Sequence, residues 1–222
     1  MTASCLWACG ELIGATTDTP TGPDAAADAA ADANAATDGS DEDALFLEGG
    51  GDGGYTGCLG ALACTRTVFV TSTSFTPGGG IAMADKACQD AADASIMSSV
   101  RGKKFLAWLS VAANDAATRL PHGTMPYVLP DSEVVALSWT ALTAPPLVHP
   151  IDLDENASLA SVGYIWTGTA FDGTATTTDC IGWTGTSDIA TIGAPGVATA
   201  AWTAYSTNMC SQIGNGLYCF EY

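Results

Sequence analysis

One short acidic segment holds the side chains whose types and spacing could do chemistry in this 222-residue sequence. The segment follows His149-Pro150 and carries four oxygen-bearing side chains: Asp152, Asp154, Glu155 and Asn156. Carboxylate and amide oxygens on a loop are ligands that a hard cation prefers, so Asp152, Asp154 and Glu155 are a weak candidate calcium site. The segment lacks the glycine and the spacing of an EF-hand loop. An ordinary solvated loop is therefore the better supported interpretation, and no other metal or cofactor is expected.

The sequence has no recognisable catalytic motif. Neither Gly-x-Ser-x-Gly nor His-Glu-x-x-His occurs, and no nucleophile stands beside a plausible base. The two histidines, His122 and His149, each adjoin a proline, which is typical of loops. We therefore expect a protein that is not an enzyme, and a hydrolase with an unrecognised site is the less favoured alternative.

Aromatic residues are the other candidates for ligand contact. Trp108, Trp166 and Tyr218 lie in predicted strands and are expected in the core. Trp202 lies in a long segment rich in Gly, Thr and Ala, so it is expected to be exposed. An exposed indole could stack on a sugar or anchor a protein contact.

The charge distribution divides the chain. The net charge is −18, which makes nucleic acid an unfavourable partner. Residues 1–57 contain 11 of the 24 acidic residues and no Lys or Arg. Residues 10–57 are rich in Ala, Asp and Gly, cannot bury enough apolar surface to fold, and are predicted to be a disordered acidic tether. Residues 58–222 then form one folded domain.

Cysteine usage indicates an oxidising compartment. There are eight cysteines and no Cys-x-x-Cys metal or redox motif. The run Leu6-Trp7-Ala8-Cys9-Gly10 approximates a bacterial lipobox, so residues 1–9 are interpreted as the remnant of a lipoprotein signal with Cys9 as the lipidated residue. Cleavage there removes Cys5, and besides the acylated Cys9 it leaves six cysteines, an even number. The alternative is a chance match, with Cys5 and Cys9 paired or free.

Apolar periodicity predicts an α+β domain with one main helix. Ala84 and Cys88 recur at helical spacing within residues 81–96. Strands are predicted over residues 66–73, 105–110, 127–129, 134–136, 164–169, 181–183 and 216–220, and short helical turns over 112–117 and 138–142. Residues 184–215 are predicted to be mostly irregular.

The order of these elements resembles the endostatin-like branch of the C-type-lectin fold. It also resembles an uncharacterised family of bacterial surface lipoproteins, over about residues 66–222. The pieces that carry the resemblance are Gly80–Asp85 with Cys88, Phe105–Ser110, Ser138–Leu142, Trp166–Gly168, Cys180–Trp183, Cys210 and Leu217–Glu221.

The resemblance implies a mixed, mostly antiparallel sheet with long irregular loops and nested disulfides, Cys88 with Cys219 and Cys180 with Cys210. Cys58 with Cys64 is the remaining pair. The calcium-dependent sugar signatures of lectins, and the histidine zinc site and basic heparin face of endostatins, have no counterpart in this sequence.

By analogy with the fold, we expect a monomeric, non-enzymatic module on the bacterial cell envelope or secreted, with a lipid anchor as its only membrane contact. Its expected partner is an extracellular protein or glycan, contacted by the loops of residues 143–160 and 184–215. A structural envelope or coat component without a discrete ligand is the alternative.

Overall fold

The computed structural model describes residues 64–222, and its central element is the strand β8, Asn215–Glu221. β8 belongs to an eight-stranded sheet in the order β4-β3-β1-β8-β5-β6-β7, and β2 also pairs with β8. The β1–β3 and β5–β8 pairings are parallel, and the others are antiparallel. The other strands are β1 (Arg66–Val70), β2 (Phe105–Ala107), β3 (Tyr127–Val128), β4 (Val134–Ala136), β5 (Tyr164–Trp166), β6 (Ile189–Gly193) and β7 (Ser206–Met209).

The side chains of β8 alternate between two hydrophobic layers, as the period of two in a strand requires. Leu217 and Cys219 join the layer that also contains Phe69. Tyr218 and Phe220 join a second layer on the opposite face. Burial on both faces explains the unbroken apolar run Leu217–Phe220, and the predicted strand over 216–220 is confirmed.

The main helix, α1, spans Gly80–Ala94 and packs on the first layer. Its buried stripe is Ala84, Cys88 and Ala92, which recur every four residues. These small side chains allow α1 to lie close to the sheet, as their spacing predicted. The shorter helices are α2 (Ala116–Arg119) and α3 (Trp139–Leu142), and a 3₁₀ turn covers Ala200–Trp202.

Two disulfides and one partly buried ion pair fasten these layers. Cys88 bonds to Cys219 and Cys180 bonds to Cys210, the two pairs that the resemblance implied. The Arg119 guanidinium pairs with Asp85 of α1 and donates to the carbonyl oxygens of Ala107 and Leu109 at 2.9 and 2.8 Å. Arg119 thereby joins α1, α2 and the end of β2.

The segment after Asp179 is a left-handed turn, so the predicted strand over residues 181–183 is wrong. Cys180, Ile181, Gly182 and Trp183 have φ angles of 55°, 57°, 64° and 66°. A β-branched residue such as Ile181 rarely adopts this conformation. The turn is held by the Asp179 side chain, which accepts a hydrogen bond from Gly182 N at 2.9 Å, and by Trp183 Nε1, which donates to Ser110 O at 3.0 Å.

Residues 184–215 are more regular than predicted, because they contain the paired strands β6 and β7. Ile189 opposes Met209 and Ile192 opposes Ser206 in an antiparallel register. β7 ends the path of paired strands, and most of its side chains are exposed. A strand without a buried face lacks the apolar alternation that would reveal it in sequence.

Several predictions concern residues outside the described part of the chain. These are the signal remnant 1–9 with Cys9, the tether 10–57 and the Cys58 partner of Cys64. They stay predictions.

Candidate functional site

The acidic segment singled out in the sequence forms a tight hairpin over residues 152–160. Asp154 N donates to Ser158 O at 2.7 Å, and Ala160 N donates to Asp152 O at 2.8 Å. The Asp154 carboxylate accepts hydrogen bonds from Asn156 N and Ser158 N, both at 2.9 Å. Asp154 is therefore a turn-forming residue within the hairpin.

Glu155 and Asn156 attach the hairpin tip to the rest of the domain. The Glu155 carboxylate accepts from Ser72 N at 2.9 Å and from the Ser72 hydroxyl. The Ser95 hydroxyl donates to Glu155 O, and Asn156 Oδ1 accepts from Ile96 N at 3.0 Å. The tip thus spans the segment that follows β1 and the end of α1.

These contacts leave little support for a calcium site at Asp152, Asp154 and Glu155. The Asp154 and Glu155 carboxylates are buried and already accept hydrogen bonds from the protein. Within residues 64–222, no group of three or more His, Cys, Asp or Glu side chains is placed to hold a metal ion. The oxygen-rich spacing is explained by main-chain hydrogen bonding instead.

Trp202 is fully buried, so the prediction that it is exposed is wrong. Its ring packs against Trp108, with centroids 5.0 Å apart, and against Tyr218, with centroids 5.4 Å apart. Gly193 permits this packing, since a Cβ atom there would come within 2.0 Å of the Trp202 carbonyl oxygen. The indole lies in the same hydrophobic layer as Trp108 and Tyr218, and Trp166 lies in the opposite layer. All three of these residues were predicted to be in the core, and all three are fully buried.

A groove between α1 and residues 72–76 is the site that the sequence did not reveal. It consists of two adjoining depressions of about 360 and 350 Å³, which share Ala87 and Asp90 of α1. The first is also lined by Ser74, Phe75, Thr76, Met83 and Lys86, and the second by Ser72, Thr73, Ala91, Ala94 and Glu155. The signals available in sequence were the Ser/Thr-rich run after β1 and the small residues of α1, and neither is specific.

The walls of this α1 groove combine an apolar patch with hydrogen-bonding groups. Met83 is 54% exposed and stands near Phe75, while Lys86 and Asp90 form an exposed ion pair of 2.6 Å. The Ser and Thr side chains of residues 72–76 add hydroxyl groups. The groove can therefore offer an apolar contact, a carboxylate, an ammonium and hydroxyls to one ligand.

The groove is preformed, because its loop wall is fixed by main-chain hydrogen bonds. Phe75 N donates to Asn215 O at 2.8 Å, and Phe75 O accepts from Trp166 Nε1 at 3.0 Å. Gly78 N donates to Trp183 O at 2.8 Å. A ligand entering the groove would not have to order this segment first.

Neither histidine forms a nucleophile–base pair among the described residues. His122 stacks on Trp139, with centroids 4.0 Å apart, and its Nε2 lies 2.6 Å from Ala117 O. His149 Nδ1 lies 2.8 Å from Pro150 O and 3.9 Å from Asp152, and its Nε2 lies 3.5 Å from Glu133. The contacts of both imidazoles are with an aromatic ring, main-chain carbonyls and carboxylates.

Comparison with protein-family models and with curated proteins finds no match to this chain. In residues 64–222, every helix is too short or too polar to cross a bilayer. The two disulfides suggest an extracellular or otherwise oxidising environment.

Proposed function

We propose that this chain is a non-enzymatic binding module of the bacterial cell envelope, with a C-type-lectin-like domain of the endostatin type, anchored through a lipid on Cys9. The module acts as a monomer and binds an extracellular glycan in the α1 groove. The observation that carries the proposal is the groove itself, a rigid cleft with an apolar wall beside carboxylate and hydroxyl groups.

A glycan suits this lining better than a flat protein surface does. A sugar ring presents an apolar face and a rim of hydroxyls, which match the exposed Met83 side chain and the Asp90 carboxylate. The combined volume of the two depressions lies within the range of small-ligand sites. The folded part of the chain is also acidic, which favours neutral over anionic glycans.

The test is a screen of the full oxidised chain against neutral and charged oligosaccharides, followed by calorimetry on any ligand found. Asp90→Asn removes the carboxylate from the groove, and Asp93→Asn makes the same charge change on the same helix outside the lining. We expect the first variant to weaken binding by about tenfold and the second to leave it unchanged.

A steric pair of variants checks the location. Ala87→Leu fills the centre of the groove, whereas Ala82→Leu adds the same side chain at an exposed position of α1. Loss of binding in the first variant alone supports the proposal. Equal affinity in both variants would place the ligand elsewhere, and capture of a protein but no glycan would identify the other partner class. A chain that binds neither would favour a structural envelope component.

A further inference from the structure

The two depressions of the α1 groove differ in charge. Lys86 and Asp90 both line the first depression, and their ion pair of 2.6 Å balances its charge. Asp90 also lines the second depression, where the other charged lining residue is Glu155, and no Lys, Arg or His of residues 64–222 belongs to that lining. The groove is therefore neutral in one depression and negative in the other.

The two carboxylates of the second depression can act on a ligand in different ways. Glu155 is 5% exposed, and its carboxylate is held by the main-chain N–H and the hydroxyl of Ser72, which lines the same depression. Because its oxygens already accept hydrogen bonds, Glu155 acts on a ligand through its fixed negative charge. The Asp90 side chain is 62% exposed, and a carboxylate has about four acceptor sites, so Asp90 can accept from a ligand as well as from Lys86.

The neighbouring charged side chains do not reverse this negative charge. Arg101 Nε donates to Ser95 O at 2.6 Å, just after the end of α1, but Arg101 is not a lining residue. Asp93 of α1 is a further carboxylate, and it accepts a hydrogen bond from Gln89 at 2.8 Å. A cation that enters the second depression therefore meets complementary charge, and an anion is repelled.

The second depression has room for a ring. Its helical wall consists of Ala87, Ala91 and Ala94, small residues that follow the helical repeat of α1. Its loop wall adds the hydroxyl groups of Ser72 and Thr73. The volume of about 350 Å³ is at the lower end of the range of small-ligand sites. One sugar residue that carries a positive charge matches this size and this lining.

We propose that the glycan bound in the α1 groove contains an amino sugar, and that its protonated amino group lies in the second depression. The ammonium donates a hydrogen bond to Asp90 and is attracted by the charge of Glu155. The adjoining residue of the glycan is uncharged and lies in the first depression beside Met83. This inference rests on the proposed function, since it names the class of glycan for the same groove.

The experiment is calorimetry of the full oxidised chain at slightly acidic pH, where a sugar amine is protonated. The ligands are the disaccharide of glucosamine, its di-N-acetylated form, cellobiose and propylammonium chloride. We expect the glucosamine disaccharide to bind about tenfold more tightly than either neutral disaccharide, because only its ammonium forms a charge-assisted hydrogen bond. This preference should shrink at high salt. Propylammonium lacks the ring and should bind more weakly than the glucosamine disaccharide.

A pair of variants places the preference in the second depression. Ala94→Leu fills that depression from an exposed position and changes no charge, so the ratio of the affinities for the glucosamine disaccharide and cellobiose should fall to about one. Ala82→Leu adds the same side chain at an exposed position of α1 outside the groove lining, and it should keep the preference of the parent.

The possible failures can be told apart. Equal affinity for the amino and neutral disaccharides would overturn this inference and leave the proposed function standing, whereas binding of no disaccharide would overturn both. A preference that survives in Ala94→Leu would come from the overall negative charge of the chain, and the amino group would not lie in the second depression. Propylammonium that binds as tightly as the glucosamine disaccharide would show that an amine is recognised without a sugar.

Discussion

The carboxylate of Glu155 accepts hydrogen bonds from both the main-chain N–H and the hydroxyl of Ser72, 83 residues earlier in the chain. Glu155 is only 5% exposed, although it was predicted to lie on a solvated loop. A buried carboxylate that receives two donors stabilises the fold more than a surface charge does. This contact fixes the acidic hairpin against one end of the α1 groove.

Glu155→Gln is therefore expected to lower the free energy of unfolding by about 1–2 kcal/mol, because it replaces two charge-assisted hydrogen bonds from Ser72 with neutral ones. Glu133→Gln changes the same charge at a side chain that is 54% exposed, and it should alter stability by less than about 0.5 kcal/mol. Urea unfolding measures both values from the midpoint and the slope. Equal midpoints for the two variants would contradict a structural role for Glu155.

Calcium should leave the thermal stability of the domain unchanged. The Asp154 and Glu155 carboxylates accept hydrogen bonds from the protein, and residues 64–222 contain no metal-binding cluster of His, Cys, Asp or Glu. A cation that bound only the folded state would add about 2.7 kcal/mol at a hundred times its Kd. Thermal unfolding with millimolar calcium and with a chelator makes the comparison. A saturable rise in Tm would restore the calcium hypothesis for this hairpin.

Ile181→Gly should be neutral or stabilising, by up to about 1 kcal/mol, although it deletes a large apolar side chain. Ile181 is 56% exposed and has a φ of 57° in the left-handed turn, where glycine relieves a cost of about 1–2 kcal/mol per residue. Part of that gain is offset by the greater freedom of glycine in the unfolded chain. The control is Ile189→Gly, also an exposed isoleucine but in strand β6, which should lose stability. A similar loss in both variants, measured by urea unfolding, would show that the left-handed turn carries little strain.

Tyr218 makes the folded state sensitive to alkaline pH. Burial first, and then the Asp152 charge, raise the pKa of the folded-state phenol well above its ordinary value of 10.0. Below pH 10.0 this residue is neutral in both states. As the pH rises further, the unfolded chain loses the proton and the folded chain keeps it, so stability falls by about 1.4 kcal/mol per pH unit.

Tyr218→Phe should reduce this alkaline loss. At neutral pH the variant should be as stable as the parent or more so, because it removes a buried hydroxyl without a partner. Tyr205→Phe, at a ring that is 54% exposed, is the control. Unfolding free energies measured on both sides of pH 10.0 give the two slopes. If the free energy of unfolding falls equally steeply with pH in the parent and in Tyr218→Phe, ionisation of Tyr218 does not cause the alkaline loss of stability.

Patterns set by burial within a single element were predictable from the sequence, whether one face is buried, as in α1, or both, as in β8. The four-residue spacing of Ala84 and Cys88 gave α1, and the apolar run Leu217–Phe220 gave β8. The acidic segment was also singled out, but it was predicted to be a solvated loop, and neither its hairpin nor its structural role was foreseen. Whether a carboxylate meets a cation or a main-chain N–H depends on distant segments such as Ser72, and a local pattern does not contain them.

The wrong predictions fall within residues 180–215, where contacts with distant parts of the chain determine the local structure. The handedness of the Cys180–Trp183 turn rests on the Cys210 bridge and on the contact of Trp183 with Ser110. Burial of Trp202 rests on Gly193, whose missing Cβ allows the two backbones to approach. The α1 groove is equally non-local, because its walls meet only after α1 has packed on the sheet.

The position of β8 also has a consequence for how the domain is made. β8 pairs with β1, β2 and β5, and its Cys219 bonds to Cys88, 131 residues earlier. The sheet lacks its central strand until residues 215–221 have been synthesised. Pairing between residues so far apart in the sequence slows folding. Until then, the edges of β1, β2 and β5 that pair with β8 have no partner strand. A chain with this topology therefore completes both its central pairings and its Cys88–Cys219 bridge only after residues 215–221 have been made, and the bridge requires an environment in which thiols can oxidise.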